Sequence, residues 1–304
     1  MRICSLLPSA TEIAFALGLG DEVVGVTHEC DYPPEARRRR VVVRSAIDPA
    51  RHKSGAIDGL VRARLAAKKS IYTIDLPSFR EAAPDFILTQ SLCEVCALDY
   101  DEVIEAARSL AEEPKIVSLA PTTLAEVLGD IAAVGAAAGR AAEAAALAGG
   151  LKNRIARVRE RIAGAALRPR VACIEWFEPL YNAGHWVPEM VELAGGVDGL
   201  GKSGRPSEAI GWDAVRAFAP EVIVLLPCGF DVERALLEAP LLRGLDGWRD
   251  LPAVRAGGVY AVNGSAYFNR PGPRLVDGIE ILAAIFHPEI FPDAPPPDAA
   301  RKFI

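Results

Sequence analysis

Three stretches of this chain gather residue types that do chemistry. Thr27-His28-Glu29-Cys30-Asp31 brings an imidazole, a thiol and two carboxylates together. Consecutive residues point in different directions, so at most two of these side chains reach a common point, and the cluster reads as a weak metal or ligand motif. Cys93-Glu94-Val95-Cys96 has the spacing of zinc ligands or a redox dithiol. It lacks the second Cys pair or His pair that a closed zinc site needs, and the chain is far longer than a thioredoxin domain. The third stretch, Glu175 to Glu189, carries Trp176, Phe177, Tyr181, His185 and Trp186. Rings supply contact area at low entropic cost, so an aromatic loop suits a large flat ligand, with His185 as a donor or axial metal ligand. Tyr267, Phe268 and Arg270 form a further candidate group. No Walker motif, nucleophile elbow or glycine-rich dinucleotide fingerprint occurs. Catalysis would rest on Cys93 and Cys96 alone, and a binding protein rather than an enzyme is expected.

Each of these stretches follows an apolar run that reads as a strand. Ile3 to Leu7 leads into Ser9 and Thr11 at a helix start, Val23 to Val26 into His28 and Glu29, and Phe86 to Thr89 into Cys93 and Glu94. Val171 to Ile174 leads into the aromatic loop, Ile223 to Leu226 into Cys228, and Val259 to Val262 into Tyr267. Near-continuous apolar strands alternating with helices point to parallel sheets covered on both faces, where ligands lie beyond the strands' carboxyl ends. The two halves also repeat. Arg80-Glu-Ala-Ala-Pro84-Asp85 and Arg216-Ala-Phe-Ala-Pro220-Glu221 each read as a helix end, a Pro-acid turn and then a buried strand.

Between the halves, Pro121 to Ala166 has no strand pattern and reads as helix. Thr122 or Thr123 caps its start, with Glu126 completing a capping box, and Gly149 and Gly150 divide or loosen it. From Arg140 to Ala163 the apolar positions Ala144, Leu147, Leu151, Ile155, Val158 and Ile162 recur every three or four residues. The expectation is therefore an α/β fold of two Rossmann-like lobes with central parallel sheets, bridged by a single long helix. The lobes run over 1–121 and 167–304, joined by a helical connector over 122–166 whose backbone helix covers about 140–163.

A net charge of −6 argues against a nucleic-acid partner, and no apolar run reaches the length of a membrane span. Met1-Arg2 leads straight into strand residues, and Pro8 and Glu12 interrupt any signal-peptide core. That reads as a cytoplasmic protein with reduced thiols, or as a periplasmic or extracellular one if the chain starts at a processed end. A monomer is expected. Pro292 to Pro297 reads as an extended surface segment.

The residues resemble the helical-backbone (class III) substrate-binding proteins of cobalamin, haem and siderophore uptake. The likeness is carried by Ser5-Leu-Leu-Pro-Ser-Ala-Thr-Glu12, Gly25-Val26, Asp31-Tyr-Pro-Pro34, Ala219-Pro-Glu-Val-Ile223 and Phe268-Asn-Arg-Pro-Gly-Pro-Arg274, and it covers nearly the whole chain. Within that family the cobalamin-binding branch is nearest. The resemblance implies cobalamin or a related corrinoid held between the lobes as a bound ligand, with Tyr181 and Arg270 matching its ligand contacts. An aromatic contact of the first lobe falls on Glu29, and a tryptophan of the second falls on Ser207. His185, Cys93 or Cys96 would approach the ligand's metal. The resemblance also implies an ABC transporter permease as partner, docked through Asp213 and a counterpart that falls at Pro77, two residues from Asp75. Another haem, siderophore or metal-chelate ligand, or a thiol-dependent cobalamin-processing activity, are the alternatives.

Overall fold

The structure is a computed structural model that describes residues 1–90 and 100–304. Among these residues the chain divides into two compact units. One comprises Met1–Pro121 with Ala125–Gly149, the other Thr122–Leu124 with Gly150–Ile304.

The first unit is built on a six-stranded sheet of β1 (Ile3–Ser5), β2 (Val23–Thr27), β3 (Arg40–Ser45), β4 (Tyr72–Ile74), β5 (Phe86–Gln90) and β6 (Lys115–Leu119), in the order β4-β3-β2-β1-β5-β6. Every pairing is parallel except β3 with β4. The central strands β1 and β5 are buried along their whole length, which is why they read as unbroken apolar runs. The second sheet contains β7 (Arg170–Trp176), β8 (Tyr181–Asn182), β9 (Val197–Asp198), β10 (Val222–Leu225), β11 (Val259–Val262) and β12 (Ala300–Lys302). Its order is β12-β11-β10-β7-β8, with β9 also paired to β7. β7, β10 and β11 are parallel, whereas β8 and β12 run antiparallel at the edges. The proline-rich segment before β12 has no regular structure across 292–296, as its composition predicts.

The repeat seen in the sequence is a repeat of hydrogen bonds. The helices Leu76–Ala82 and Trp212–Phe218 each end on an alanine in the left-handed region, Ala83 at φ 42° and Ala219 at φ 48°. The following proline prevents the helix from continuing. Arg2 at the start of β1 donates from Nε and Nη2 to the carbonyl of Ala82, at 3.0 and 2.7 Å. Arg170 at the start of β7 donates from the same atoms to the carbonyl of Ala219, at 3.1 and 2.9 Å. The amide of Arg2 donates to Asp85 Oδ1 at 2.8 Å, and that of Arg170 to Glu221 Oε2 at 2.9 Å. Each arginine thus joins a helix end to the amino end of its sheet.

The segment expected as one long helix is two. Leu124–Ala137 begins one residue after Thr123, and Ala141–Ile162 matches the expected backbone helix. The break falls at Gly139, at φ +70°, rather than at Gly149 and Gly150, which lie inside the second helix. A reason for the break is close packing: a Cβ on Gly135 would lie 2.3 Å from Cβ of Ala144, so the two helices approach where only glycine fits. Of the apolar stripe, Ala144, Leu151 and Val158 are buried, one every seven residues. The boundary between the two units falls within this helix, between Gly149 and Gly150. Its second half is fastened within the second unit. Arg154 donates from Nε to Glu280 at 2.9 Å and pairs with Asp277, and Arg161 stacks 3.9 Å over the Phe291 ring.

The left-handed alanines make a direct test. A left-handed residue with a Cβ costs about 1–2 kcal/mol, part of which glycine gives back through its freer unfolded chain. Ala83→Gly is therefore expected to stabilise the protein by about 0.5 kcal/mol, a rise of about 1–2 °C in melting temperature for a unit of this size. A lower melting temperature would show that this helix end is not strained.

Candidate functional site

Because β7, β10 and β11 are parallel, the loops that follow them leave the same end of the second sheet. Trp176 is the last residue of β7 and stands directly opposite Tyr181 on β8. Its ring lies 5.2 Å from that of buried Phe230, at a tilt of 55°. Both Trp176 and Tyr181 are half-buried, so they offer apolar area at the strand ends on a support that is itself packed. The loops are stitched together by backbone groups. Cys228 N donates to the carbonyl of Glu175 at 3.1 Å, and Ser265 N to that of Phe230 at 3.0 Å. Tyr267 and Arg270, both half-buried, follow β11 in the same group of loops.

Asn182 on β8 fixes the loop that runs beside this end. Its buried side chain donates to Leu200 O at 2.6 Å and accepts from Glu208 N at 2.7 Å. Asp198 accepts from the amides of Leu200 and Gly201, both at 2.9 Å. These bonds hold the loop that delivers Ser207, whose hydroxyl donates to Glu175 Oε1 at 3.2 Å. A short polar residue after a strand gives no sign in sequence that it will reach a loop so far along the chain.

Trp186 and Phe268, expected to face a ligand, are buried. The Trp186 indole donates to the carbonyl of Phe268 at 2.7 Å, and the two residues thereby fix the loop that carries Arg270. His185 follows β8. β8 runs antiparallel to β7, and Ala183 N donates to Cys173 O, so the chain after Tyr181 heads back along the sheet. His185 lies beyond β8, in the turn that precedes the helix Val187–Leu193. There it takes a φ of +51° and lies against Trp186, with ring centroids 5.4 Å apart. Burial holds its imidazole below the ordinary histidine range.

In the first unit, Ser9 and Thr11 are buried at the start of the helix Pro8–Ala16. Thr11 donates to Ser5 Oγ at 2.8 Å and lies 3.0 Å from Cys30 Sγ, a polar cluster turned inward. Glu29 and His28 remain accessible after β2. Tyr72 donates to Glu29 Oε1 at 3.5 Å, and His28 Nε2 lies 3.8 Å from the same oxygen. Cys93, Glu94 and Cys96 lie outside the described residues. Among the described residues no group of three or more His, Cys, Asp or Glu is placed to hold a metal ion, and Cys4, Cys30, Cys173 and Cys228 form no disulfide with one another. Of the two candidate docking carboxylates, Asp213 is exposed in the first turn of its helix. Asp75 caps the helix Leu76–Ala82, accepting from Ser78 N at 3.2 Å.

Residues 3–266 match the family described as Periplasmic binding protein. A vitamin B12-binding protein of Vibrio cholerae is 28% identical over 92% of this chain and 86% of its own length. An uncharacterized ABC transporter substrate-binding lipoprotein of Bacillus subtilis is 24% identical over 95% of this chain and 81% of its own. The structure of the Vibrio cholerae periplasmic vitamin B12 binding protein superposes with a TM-score of 0.66 at 24% identity, covering 94% of this chain and 96% of that one. A periplasmic heme-binding protein of a Roseiflexus species gives 0.71 at 21% identity, covering 95% and 98%. At these identities the superpositions show the fold. The matches also correct the cytoplasmic placement read from the first residues, because these relatives are periplasmic proteins and a lipoprotein.

The depressed imidazole has a consequence for pH. In the folded protein His185 takes up its proton at lower pH than in the unfolded chain, so below the unfolded value of about 6.5 the unfolded state binds the extra proton. The stability this residue contributes is complete above that value and is lost as the pH falls. Between pH 7.5 and 5.5 the melting temperature of the wild type should fall further than that of His185→Gln. Equal falls would mean that His185 is solvated as in the unfolded chain.

Proposed function

Because this chain belongs to the periplasmic binding protein family, we propose that it binds cobalamin or a related corrinoid as transported cargo and passes it to an ABC transporter permease. The family is one of transport binding proteins, so the chain is a binding protein rather than an enzyme. The observation that carries the corrinoid reading is the Trp176–Tyr181 pair, backed by Phe230, at the end of the sheet from which the loop after β11 carries Arg270. Flat rings cover a macrocycle's face, and a guanidinium pairs with an amide or phosphate oxygen at its edge. The relative of Vibrio cholerae named for vitamin B12 supports the same ligand class.

Titrating aquocobalamin, haem and a ferric siderophore against the purified protein tests this. Aquocobalamin should bind saturably and quench tryptophan fluorescence, while the other two bind more weakly. A protein that takes haem or the siderophore and leaves aquocobalamin free contradicts the reading. Arg270→Ala should cost about 1.5–3 kcal/mol of affinity, a rise of about 10- to 150-fold in Kd. An unchanged Kd in a folded variant would remove Arg270 from the site.

A further inference from the structure

The helix Leu275–Phe286 continues directly from the loop that follows β11. Leu275 N donates to Gly272 O at 3.2 Å, and Gly278 N to Arg274 O at 3.1 Å. At Gly278 helix and loop touch: a Cβ there would stand 2.4 Å from the carbonyl oxygen of Tyr267, so only glycine fits. A shift of the helix's first two turns is therefore a shift of the loop backbone. Asp277 and Glu280 flank that glycine, and both are held by Arg154 on the helix Ala141–Ile162. Arg154 donates from Nε to Glu280 Oε1 at 2.9 Å and from Nη2 to Glu280 Oε2 at 2.6 Å, a two-point fork, and the same Nη2 bonds Asp277 Oδ1. All three side chains are half-buried, where their pairing is screened less than on an open surface. Leu151 and Val158, buried one turn before and one turn after Arg154, fix the backbone that carries it.

We infer that Arg154 is a positioning residue for the loop after β11: by holding Asp277 and Glu280 it keeps Gly278 against Tyr267 and orders the loop before a ligand arrives. This rests on the corrinoid reading and adds a residue remote from the ligand to it. The indole of Trp186 holds the same loop at Phe268 O, so the loop is fastened at two points. A loop ordered in advance carries no ordering cost at binding. Without Arg154, Asp277 and Glu280 are like charges three residues apart on one helix face, an unfavourable pair in the turn that bears on the loop.

The experiment measures Kd for cyanocobalamin and, in the unliganded protein, amide exchange over 264–270. It compares the wild type with Arg154→Gln, with Asp277→Ala/Glu280→Ala, and with the variant combining all three changes. In Arg154→Gln, exchange over 264–270 should rise while that over 176–182 stays, and Kd should rise about 3- to 10-fold, the cost of ordering a side chain or two at binding. Because Arg154 acts through the two acids, the combined variant should bind no more weakly than Arg154→Gln, and fully additive losses overturn the inference. An arginine that only supports the fold lowers the melting temperature and leaves Kd and the exchange over 264–270 at wild-type values, and that result overturns it as well. If Arg154→Gln does not fold, Arg154→Lys, which keeps the charge and loses the fork, must raise both quantities, and unmoved values decide against the inference. Wild-type protein that binds no cyanocobalamin refutes the corrinoid reading and this inference with it. Wild-type binding that the variants leave unchanged keeps that reading and removes only the role of Arg154.

Discussion

An arginine at the amino end of the first strand of each sheet, Arg2 just before β1 and Arg170 opening β7, carries the constraint on which the rest of the structure depends. Arg2 and Arg170 each use one guanidinium to satisfy the carbonyls at the end of a short helix, and one backbone amide to bind the acid that follows that helix. A helix end leaves carbonyls without partners, and here a charged donor on the neighbouring strand meets that need. Helix, turn and two strands are thereby brought into register at the amino end. In a parallel sheet, closing the amino end with structural bonds leaves the carboxyl end for the loops that bind.

The two ends divide the polar residues accordingly. At the amino end the acids Asp85 and Glu221 are paired and serve the fold. At the carboxyl end of the second sheet the hydrogen bonds of Asn182 and Asp198 fix backbone, and the residues they leave accessible are Trp176, Tyr181, Glu175 and Arg270. Trp186 belongs with the fixing residues. Its indole bond to Phe268 orders a loop that would otherwise have to be ordered when the ligand binds, at a cost in affinity.

Much of the fold was legible because it is written in local and repeated signals. The Pro-acid turns at Pro84 and Pro220, the buried runs of β5 and β10 and the heptad of Ala144, Leu151 and Val158 all express constraints within a few residues of themselves. The break at Gly139 was harder to place, because Gly149 and Gly150 carry the same signal and only the close approach at Gly135 decides between them. In the candidate site, Trp176, Tyr181 and Arg270 are candidates because of their positions at or after strands. The burial of Trp186 and the antiparallel course of β8 were not legible, because an aromatic loop does not disclose which ring turns inward or which way a two-residue strand runs. The Ser207–Glu175 contact joins residues 32 apart and left no local trace.

The central claim is that the carboxyl ends of the strands bind and the amino ends only hold the fold. Amide hydrogen exchange, followed with and without saturating cyanocobalamin, reads both ends at once. The account predicts ligand-dependent protection in the loops around 176–181 and 263–270, with exchange at Arg2, Asp85, Arg170 and Glu221 unchanged. Protection confined to those four positions and their neighbours would contradict it.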